Sequence, residues 1–318
     1  MMTVALWVVV FIVSLAVLIA AARYFTVAAE RIGVHFGIPP FIVGVTIVAI
    51  GTSLPELVSS VLAVVHGSSE IVVGNVLGSN VANIFLILGI SAAIGKRLHI
   101  TYELIHVDLP LLVGSAFLLA ATIWYGGFTL FDALVCLAVF AIYLHYTVTV
   151  ERKREDVVSQ DEDGKPARRK LGRTTLPMLI VSAGFIYVGA EYTVTSVIRL
   201  SEILHIGTEI IAVSAVALGT SLPELLVSIV AARRGSPDIA VGNILGSNIF
   251  NALVVMGVPG LFATLAIPEG MTTFALPMML VATLLYLFIT HDRQITRWEG
   301  LLLVVFYVFF IGALFNLT

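Results

Sequence analysis

Apolar runs of about twenty residues follow one another along almost the whole chain, separated by short polar breaks. A helix needs about 20 apolar residues to cross the hydrocarbon core of a bilayer, so each run is long enough to be a membrane span. The pattern therefore predicts an all-α integral membrane protein with ten transmembrane helices, at 3–24, 38–65, 70–95, 105–124, 129–149, 176–200, 208–232, 238–264, 271–290 and 299–317.

One connection between the runs is longer than the others and differs in composition. Residues 151–173, ERKREDVVSQDEDGKPARRKLGR, mix both signs of charge with almost no large apolar side chains. Such a composition is typical of a solvated, flexible linker. We therefore predict three segments: a five-helix unit over 1–150, a charged linker over 151–174 and a second five-helix unit over 175–318.

The lysines and arginines predict the orientation of the helices. With the loop 151–173 in the cytoplasm and the spans alternating, 16 of the 17 basic residues fall on the cytoplasmic side, and only Arg199 falls outside. This asymmetry is what the positive-inside rule describes. It predicts a multi-pass protein of the cell membrane with both termini extracellular. Residues 3–22 lack the flanks of a cleavable signal peptide and are predicted to begin the first span.

A shift of 168 residues aligns two polar blocks with their copies. VAIGTSLPELVSS at 48–60 matches VALGTSLPELLVS at 216–228, and SEIVVGNVLGSNVANI at 69–84 matches PDIAVGNILGSNIFNA at 237–252. Five spans separate each residue from its copy, and because five is odd the copy enters the membrane from the opposite face. The repeat therefore predicts two inverted-topology units of five helices each.

Glu56 and Glu224 are the sharpest features of the first block, because each lies near the middle of an apolar run. An ionised carboxylate at that depth costs at least about 2.5–3.5 kcal/mol, which a bound cation would offset. A protonated glutamate bonded between helices is the alternative. Pro55 and Pro223 each clash with the carbonyl group four residues earlier, so the helix is predicted to kink or unwind around 49–53 and 217–221 and free carbonyl oxygens.

The remaining polar residues of the two blocks supply neutral oxygens and small residues. The glycine pairs 74/78 and 242/246 form a small-xxx-small pattern that lets a neighbouring helix approach closely. Asn80 and Asn248 are predicted to bridge helices. The hydroxyls can bind a cation or bond back to their own helix. The candidate ligands that we take from these blocks are Thr52, Ser53, Thr220, Ser221, Asn75, Ser79, Asn83, Asn243, Ser247 and Asn251.

Composition indicates a lipid environment and limits the kinds of cation that the site could bind. The chain is 59% hydrophobic and 12% charged, against about 25% charged in soluble domains, and its net charge of −3 gives no reason to expect a nucleic-acid partner. Cys136 is the single cysteine, which excludes a disulfide within the chain and a thiolate metal cluster, and its apolar run predicts a buried structural thiol. The all-oxygen ligand set favours Ca²⁺, Na⁺ or Mg²⁺ over Zn²⁺ or Cu²⁺, with Mg²⁺ disfavoured by its slow dehydration.

The paired GTSLPE and GNxxGSN blocks resemble the alpha-repeats of the calcium/cation antiporter superfamily, most closely its sodium/calcium exchanger branch of prokaryotic type. The resemblance implies a central cation site formed by the second, third, seventh and eighth helices. It implies Ca²⁺ and Na⁺ ligands at Glu56, Glu224, Ala49, Thr52, Ala217, Thr220, Ser79, Ser247, Asn83 and Asn251, supported by Ser53 and Ser221. Some relatives carry aspartate where this chain has Asn251.

The predicted function is thus a secondary antiporter that exchanges Na⁺ for Ca²⁺ by alternating access. A Ca²⁺/H⁺ antiporter and a K⁺-dependent exchanger of the same fold are the alternatives. An intramembrane enzyme is disfavoured, because no histidine lies at the depth of the GTS hydroxyls to act as a base. We expect no cofactor and no obligatory protein partner; the bilayer and the two transported ions are the expected partners.

Overall fold

The structure is a computed structural model that describes residues 2–67, 69–95, 97–102, 107–158, 171–204 and 221–314. Eight helices in these ranges are long and apolar enough to span a membrane. They are α1 (Met2–Phe36), α2 (Pro40–Val65), α3 (Glu70–Gly95), α5 (Leu130–Val158), α6 (Thr175–Leu204), α8 (Pro237–Gly260), α9 (Met271–His291) and α10 (Arg297–Leu314). Two shorter helices, α4 (Asp108–Ile123) and α7 (Leu222–Arg233), lie where the fourth and seventh spans were predicted.

Two helices extend well beyond the apolar runs that predicted them. The prediction that the first span ends at 24 is wrong, because α1 continues to Phe36. The prediction of a linker from 151 is wrong for its first eight residues, because α5 continues to Val158. Glu, Lys and Arg favour a helix almost as strongly as Leu does, so a helix can continue past its apolar part. The rest of the predicted linker up to residue 170 lies outside the described residues.

Four short strands interrupt the otherwise helical architecture. β1 (Arg97–His99) pairs antiparallel with β4 (Gln294–Thr296), and β2 (Gly127–Phe128) pairs antiparallel with β3 (Leu265–Ala266). The two pairs have corresponding registers. Leu98 pairs with Ile295, and the residues that correspond to them under the 168-residue shift, Ala266 and Gly127, also pair with each other. The same shift relates the bounds of α4 to Leu276–His291 of α9. The sequence repeat is therefore also a repeat of elements.

Helix α8 forms the centre of the molecule, and nearly all of its side chains are buried. Large apolar side chains point outward from peripheral helices instead; Ile12, Phe131, Phe288 and Val305 are 58%, 73%, 71% and 64% exposed. Burying polar residues centrally and exposing apolar ones is the arrangement of a protein surrounded by lipid. The chain is a multi-pass membrane protein.

Glycines bring α2 and α8 into backbone contact. A Cβ atom at Gly242 would lie 2.3 Å from the Phe41 carbonyl oxygen, and one at Gly246 would lie 2.3 Å from the Val45 carbonyl oxygen. Only glycine permits so close a crossing. The small-xxx-small prediction is thus confirmed for this pair. For Gly74 and Gly78 it stays a prediction, because the corresponding stretch of the second half falls within 205–220, outside the described residues.

Candidate metal centre

The two glutamates face each other across the centre of the molecule. Glu56 lies in the middle of α2 and Glu224 in the first turn of α7, and each is 1% exposed. They come from opposite halves of the chain, yet they meet in one place, because Ser53, three residues before Glu56 in α2, lies 2.9 Å from Oε1 of Glu224. Neither is part of an ion pair with a described residue. Two buried carboxylates in one place are costly unless a positive charge binds beside them.

The backbone around Glu56 differs from the predicted unwinding. Residues Ala49–Val65 form an α-helix with Pro55 inside it, so the predicted unwinding over 49–53 is wrong, while the alternative of a kink stays a prediction. The departure from α-helical geometry lies one turn earlier, in a π-helical turn at Gly44–Val48. A wide turn accommodates the helix in its tightly packed position against α8, and such turns are frequent at functional sites. In the second half, 205–220 is outside the described residues, and α7 begins after Ser221.

Ser53 connects the two halves of the site. Its hydroxyl lies 2.9 Å from Oε1 of Glu224 and 3.0 Å from Oγ of Ser247, and all three residues are buried. The corresponding residue, Ser221, has its hydroxyl 3.5 Å from Oγ of Ser79. Each serine predicted to support the site, Ser53 or Ser221, therefore lies beside a predicted ligand serine from the opposite half of the chain.

The deepest polar atoms of the site lack hydrogen-bond partners. Among the described residues, no donor reaches either carboxyl oxygen of Glu56 or Oε2 of Glu224, and the side-chain amides of Asn83 and Asn251 make no hydrogen bond. Each of these side chains is about 1% exposed. A buried polar group without a partner costs about 1–3 kcal/mol, and more when charged. Two carboxylates and two amides left open together form a set of ligands for a hard cation.

Both asparagines lie in π-helical turns. Asn83 falls within Ala82–Leu88 of α3, and Asn251 begins Asn251–Val255 of α8. A π turn displaces a backbone from its regular path and redirects the side chains it carries. Proline and glycine patterns gave no sign of these turns, so the sequence predicted the asparagines but not the backbone geometry that positions them.

A second layer of hydrogen bonds holds the helices around this centre. Asn243 donates to the hydroxyl of Ser228 over 2.9 Å, and Thr52 Oγ1 lies 3.2 Å from Asn243 Oδ1. In the other half, Asn75 donates to the hydroxyl of Ser60 over 3.1 Å. The sequence predicts these two asparagines as candidate ligands, and in the structure their amide nitrogens donate to serines of the same half. Sequence analysis missed Ser60 and Ser228, although both stand at matching places in the repeated blocks.

The remaining candidates fall into three groups. The hydroxyl of Thr52 also lies 3.1 Å from the Val48 carbonyl oxygen and 3.4 Å from that of Ala49, so it bonds back to its own helix. Asn80 donates to the backbone oxygen of Asn248 over 3.3 Å and thus bridges helices as predicted. Ala217 and Thr220 lie outside the described residues. Cys136 is fully buried, as predicted for a structural thiol.

Comparison with known proteins decides the family. The family model described as "Sodium/calcium exchanger protein" matches residues 6–149 and 174–316. This chain belongs to the sodium/calcium exchanger family. The two matched stretches correspond to the two predicted five-helix units, and the family resemblance carried by the GTSLPE and GNxxGSN blocks is confirmed.

Relatives in this exchanger family align with nearly the full chain. The sodium/calcium exchanger MaX1 of Methanosarcina acetivorans is 32% identical, covering 96% of this chain and 97% of its own. An uncharacterized membrane protein of Methanocaldococcus jannaschii is 35% identical, with 96% of both chains covered. A structure of the sodium-calcium exchanger NCX_Mj, soaked with zero Na⁺ and Ca²⁺, superimposes with a TM-score of 0.82 at 32% identity, covering 98% of this chain and 99% of that one.

Proposed function

We propose that this chain is a secondary antiporter that exchanges Na⁺ for Ca²⁺ at one mid-membrane site built on Glu56 and Glu224. The observation that carries the proposal is the set of buried oxygens without partners: three of the four carboxyl oxygens, together with the side-chain amides of Asn83 and Asn251, lack a described donor. The proposed ligands are Glu56, Glu224, Ala49, Thr52, Ala217, Thr220, Ser79, Ser247, Asn83 and Asn251, with Ser53 and Ser221 supporting them.

Charge balance explains why two different ions compete for this site. Two carboxylates match one Ca²⁺ or two Na⁺, so either load neutralises the same pocket. An empty site would carry two buried charges, and moving it through the low-dielectric interior is costly. The protein therefore changes conformation when loaded and resists doing so when empty. Exchange is coupled because one ion must replace the other.

We propose further that ten spans form two inverted repeats over 1–150 and 175–318, joined by the charged segment 151–174. The matching element bounds and the exchanged strand registers support a pseudo-two-fold axis in the membrane plane. Strands β1 and β4 pair near one end of the helices, and β2 and β3 near the other, as alternating spans require. In this arrangement both termini are extracellular and the charged segment 151–173 is cytoplasmic.

The pair formed by α1 and α6 is the proposed moving element. The two helices pack on each other closely: Leu18 atoms lie 3.0–3.1 Å from a Cβ built at Gly189, and Thr193 donates to Ser14 over 2.9 Å. Their contact with the central helices includes the small side chains of Ala22, Ala29 and Ala231, beside the larger Phe25. Small residues form a smooth interface that permits sliding or rocking across the site.

Transport by purified protein in liposomes tests this proposal. Vesicles loaded with Na⁺ are diluted into Na⁺-free medium containing radiolabelled Ca²⁺, and uptake is expected only while the outward Na⁺ gradient lasts. Parallel arms replace the Na⁺ gradient with a pH gradient, or omit K⁺ from both sides. Ca²⁺ uptake that ignores Na⁺ but follows the pH gradient would overturn Na⁺ exchange in favour of Ca²⁺/H⁺ antiport. Loss of Na⁺-driven uptake without K⁺ would identify a K⁺-dependent exchanger.

A further inference from the structure

A cavity of about 490 Å³ lies between the last turns of α1 and the beginning of α6. Arg31 and Arg234 line it together with Glu30 and the hydroxyl-bearing Thr174 and Thr175. It is remote from the glutamate site, which lies at the centre of the helices. Its residues take no part in the proposed ion exchange.

A second cavity of about 320 Å³ continues along the same two helices toward the middle of the membrane. Its walls are largely apolar: Val17 and Ala20 of α1 face Val181 and Phe185 of α6. Val181 and Phe185 are 56% and 53% exposed, so this part of the groove is open to the surrounding lipid.

The two cavities belong to one groove. Six of the eight lining residues of α1 stand at 17, 20, 24, 27, 31 and 34, which alternate in steps of three and four and so share one helix face, with Ala21 and Glu30 directly beside it. At 1.5 Å per residue the stripe is about 25 Å long, comparable with the roughly 20 Å of one leaflet with its headgroups. The groove is apolar along its inner part and polar at its outer end, as a phospholipid is.

The charges at the polar end favour an anion. Glu30 is already satisfied, because Ser236 donates to it over 2.6 Å and Arg234 contacts it at 3.4 Å. Arg31 is exposed and forms no ion pair with any residue the structure describes. The two arginines and one glutamate leave one positive charge. The first turn of the 30-residue helix α6 adds the partial positive charge of a helix N-terminus.

We propose that this groove binds one anionic phospholipid of the leaflet on the Arg31 side, cytoplasmic in the proposed topology. Arg31 and the hydroxyls of Thr174 and Thr175 hold the phosphate, and an acyl chain lies along Ala20 and Phe185. A membrane-facing groove with a basic end suits this ligand better than any soluble anion. Because the lipid lies between α1 and α6, its binding rigidifies the pair that exchange is proposed to move.

The inverted counterpart of this corner supplies a matched control. Arg199 is the copy of Arg31, but it is paired with Glu202 at 2.9 Å. The copy of Glu30 is Ile198, and the copy of Arg234 is His66. The arginine in the inverted copy is therefore already paired, and no second arginine stands at the position that corresponds to Arg234. This copy is not expected to bind the lipid.

Lipid binding to delipidated protein in detergent tests the proposal. Phosphatidylglycerol and phosphatidylcholine with identical chains are titrated separately, and bound lipid is counted by native mass spectrometry. We expect one site that prefers phosphatidylglycerol. Arg31→Gln should weaken that lipid about fivefold, the effect of about 1 kcal/mol per interfacial arginine, and Arg199→Gln should leave it unchanged. Ala20→Phe, which fills the apolar part at an exposed position, should weaken both lipids, whereas Ile12→Phe, outside the groove, should not.

Several results would overturn the assignment. Equal affinity for the two lipids, or equal losses in Arg31→Gln and Arg199→Gln, would mean general surface attraction. Displacement of the lipid by glycerol phosphate at equal concentration would identify a site for a free anion. Unchanged lipid affinity in Ala20→Phe would exclude an acyl chain from the apolar part of the groove. All four substitutions lie at exposed positions, so folding is preserved, and melting temperatures check this. Binding needs no ion gradient, so failure of the exchange assay would not affect the result.

Discussion

Glu224 lies 2.9 Å from the Ser53 hydroxyl, whereas neither carboxyl oxygen of Glu56 has a donor among the described residues. An exactly symmetric protein would place Ser221 beside Glu56 in the same way, but the Ser221 hydroxyl lies 3.5 Å from Ser79 instead. The two halves thus share their residues and differ in conformation. Such a difference is what inverted repeats need in order to open a central site toward one side at a time.

The backbones at these two serines differ as well. Ser53 lies inside the regular helix Ala49–Val65, while Ser221 precedes the first residue of α7 with φ −89° and ψ 1°. The shared letters SLPE, at 53–56 and at 221–224, therefore start from two different backbone conformations at the serine. Packing against neighbouring helices, and not local propensity, decides which one forms.

Removing either carboxylate should have the largest effect despite the unequal surroundings. Glu56→Gln and Glu224→Gln are each expected to reduce Na⁺-driven Ca²⁺ uptake by about 100-fold or more, since even groups supporting a metal ligand are worth 10–100-fold. Glu269→Gln, at an exposed position directly before α9, is the control. Near-normal uptake by one of the two site variants would mean that the halves are not partners at a single site.

The close crossing of α2 and α8 predicts the next largest effect. Gly246→Ala would place a methyl group 2.3 Å from the Val45 carbonyl oxygen and 2.7 Å from Cβ of Ala49, so both helices must shift. We expect a loss of about 3 kcal/mol, the upper end of what overpacking costs, seen as a lower melting temperature in detergent. Gly114→Ala is the control, because Gly114 is exposed within α4 and no described atom lies within 4 Å of its added carbon. Equal destabilisation would show that the added methyl group at Gly246 is not what separates α2 from α8.

Most of the site could be predicted because its residues are unusual for their surroundings. Glu56, Ser53 and Asn83 stand out as polar residues in apolar runs. Each has a copy 168 residues later, which indicates that they belong to one site. The π turns had no such signal, since the hydrogen-bond register of a helix responds to tertiary packing. The length of α1 exceeds the predicted span 3–24 because Arg23, Glu30 and Arg31 interrupt the apolar run without breaking the helix.

The unequal serines provide a sharper test of the comparison. Ser53→Ala removes the donor to Glu224 and the contact with Ser247, and should weaken apparent Ca²⁺ affinity about tenfold, as loss of a supporting group at a metal site does. Ser221→Ala removes only a 3.5 Å contact and should cost less. Concentration dependence of Ca²⁺ uptake in liposomes gives both values. Equal losses would mean that the halves exchange environments during the transport cycle, so that each serine supports the site in turn.

The smallest expected effect concerns the asparagines behind the site. Asn243 is fully buried and bonds to Ser228 at 2.9 Å, whereas Asn75 is half-buried and its contacts with Ser60, Ser59 and the Glu56 carbonyl span 3.1–3.4 Å. Asn243→Ala leaves a buried hydroxyl without its partner and should destabilise the protein by about 1 kcal/mol. Asn75→Ala should cost less, because water can replace its amide. Melting temperatures of the two variants, and of the double variant Asn243→Ala/Ser228→Ala, decide: the double variant should recover part of the loss, and no recovery would show that the asparagine acts on something other than Ser228.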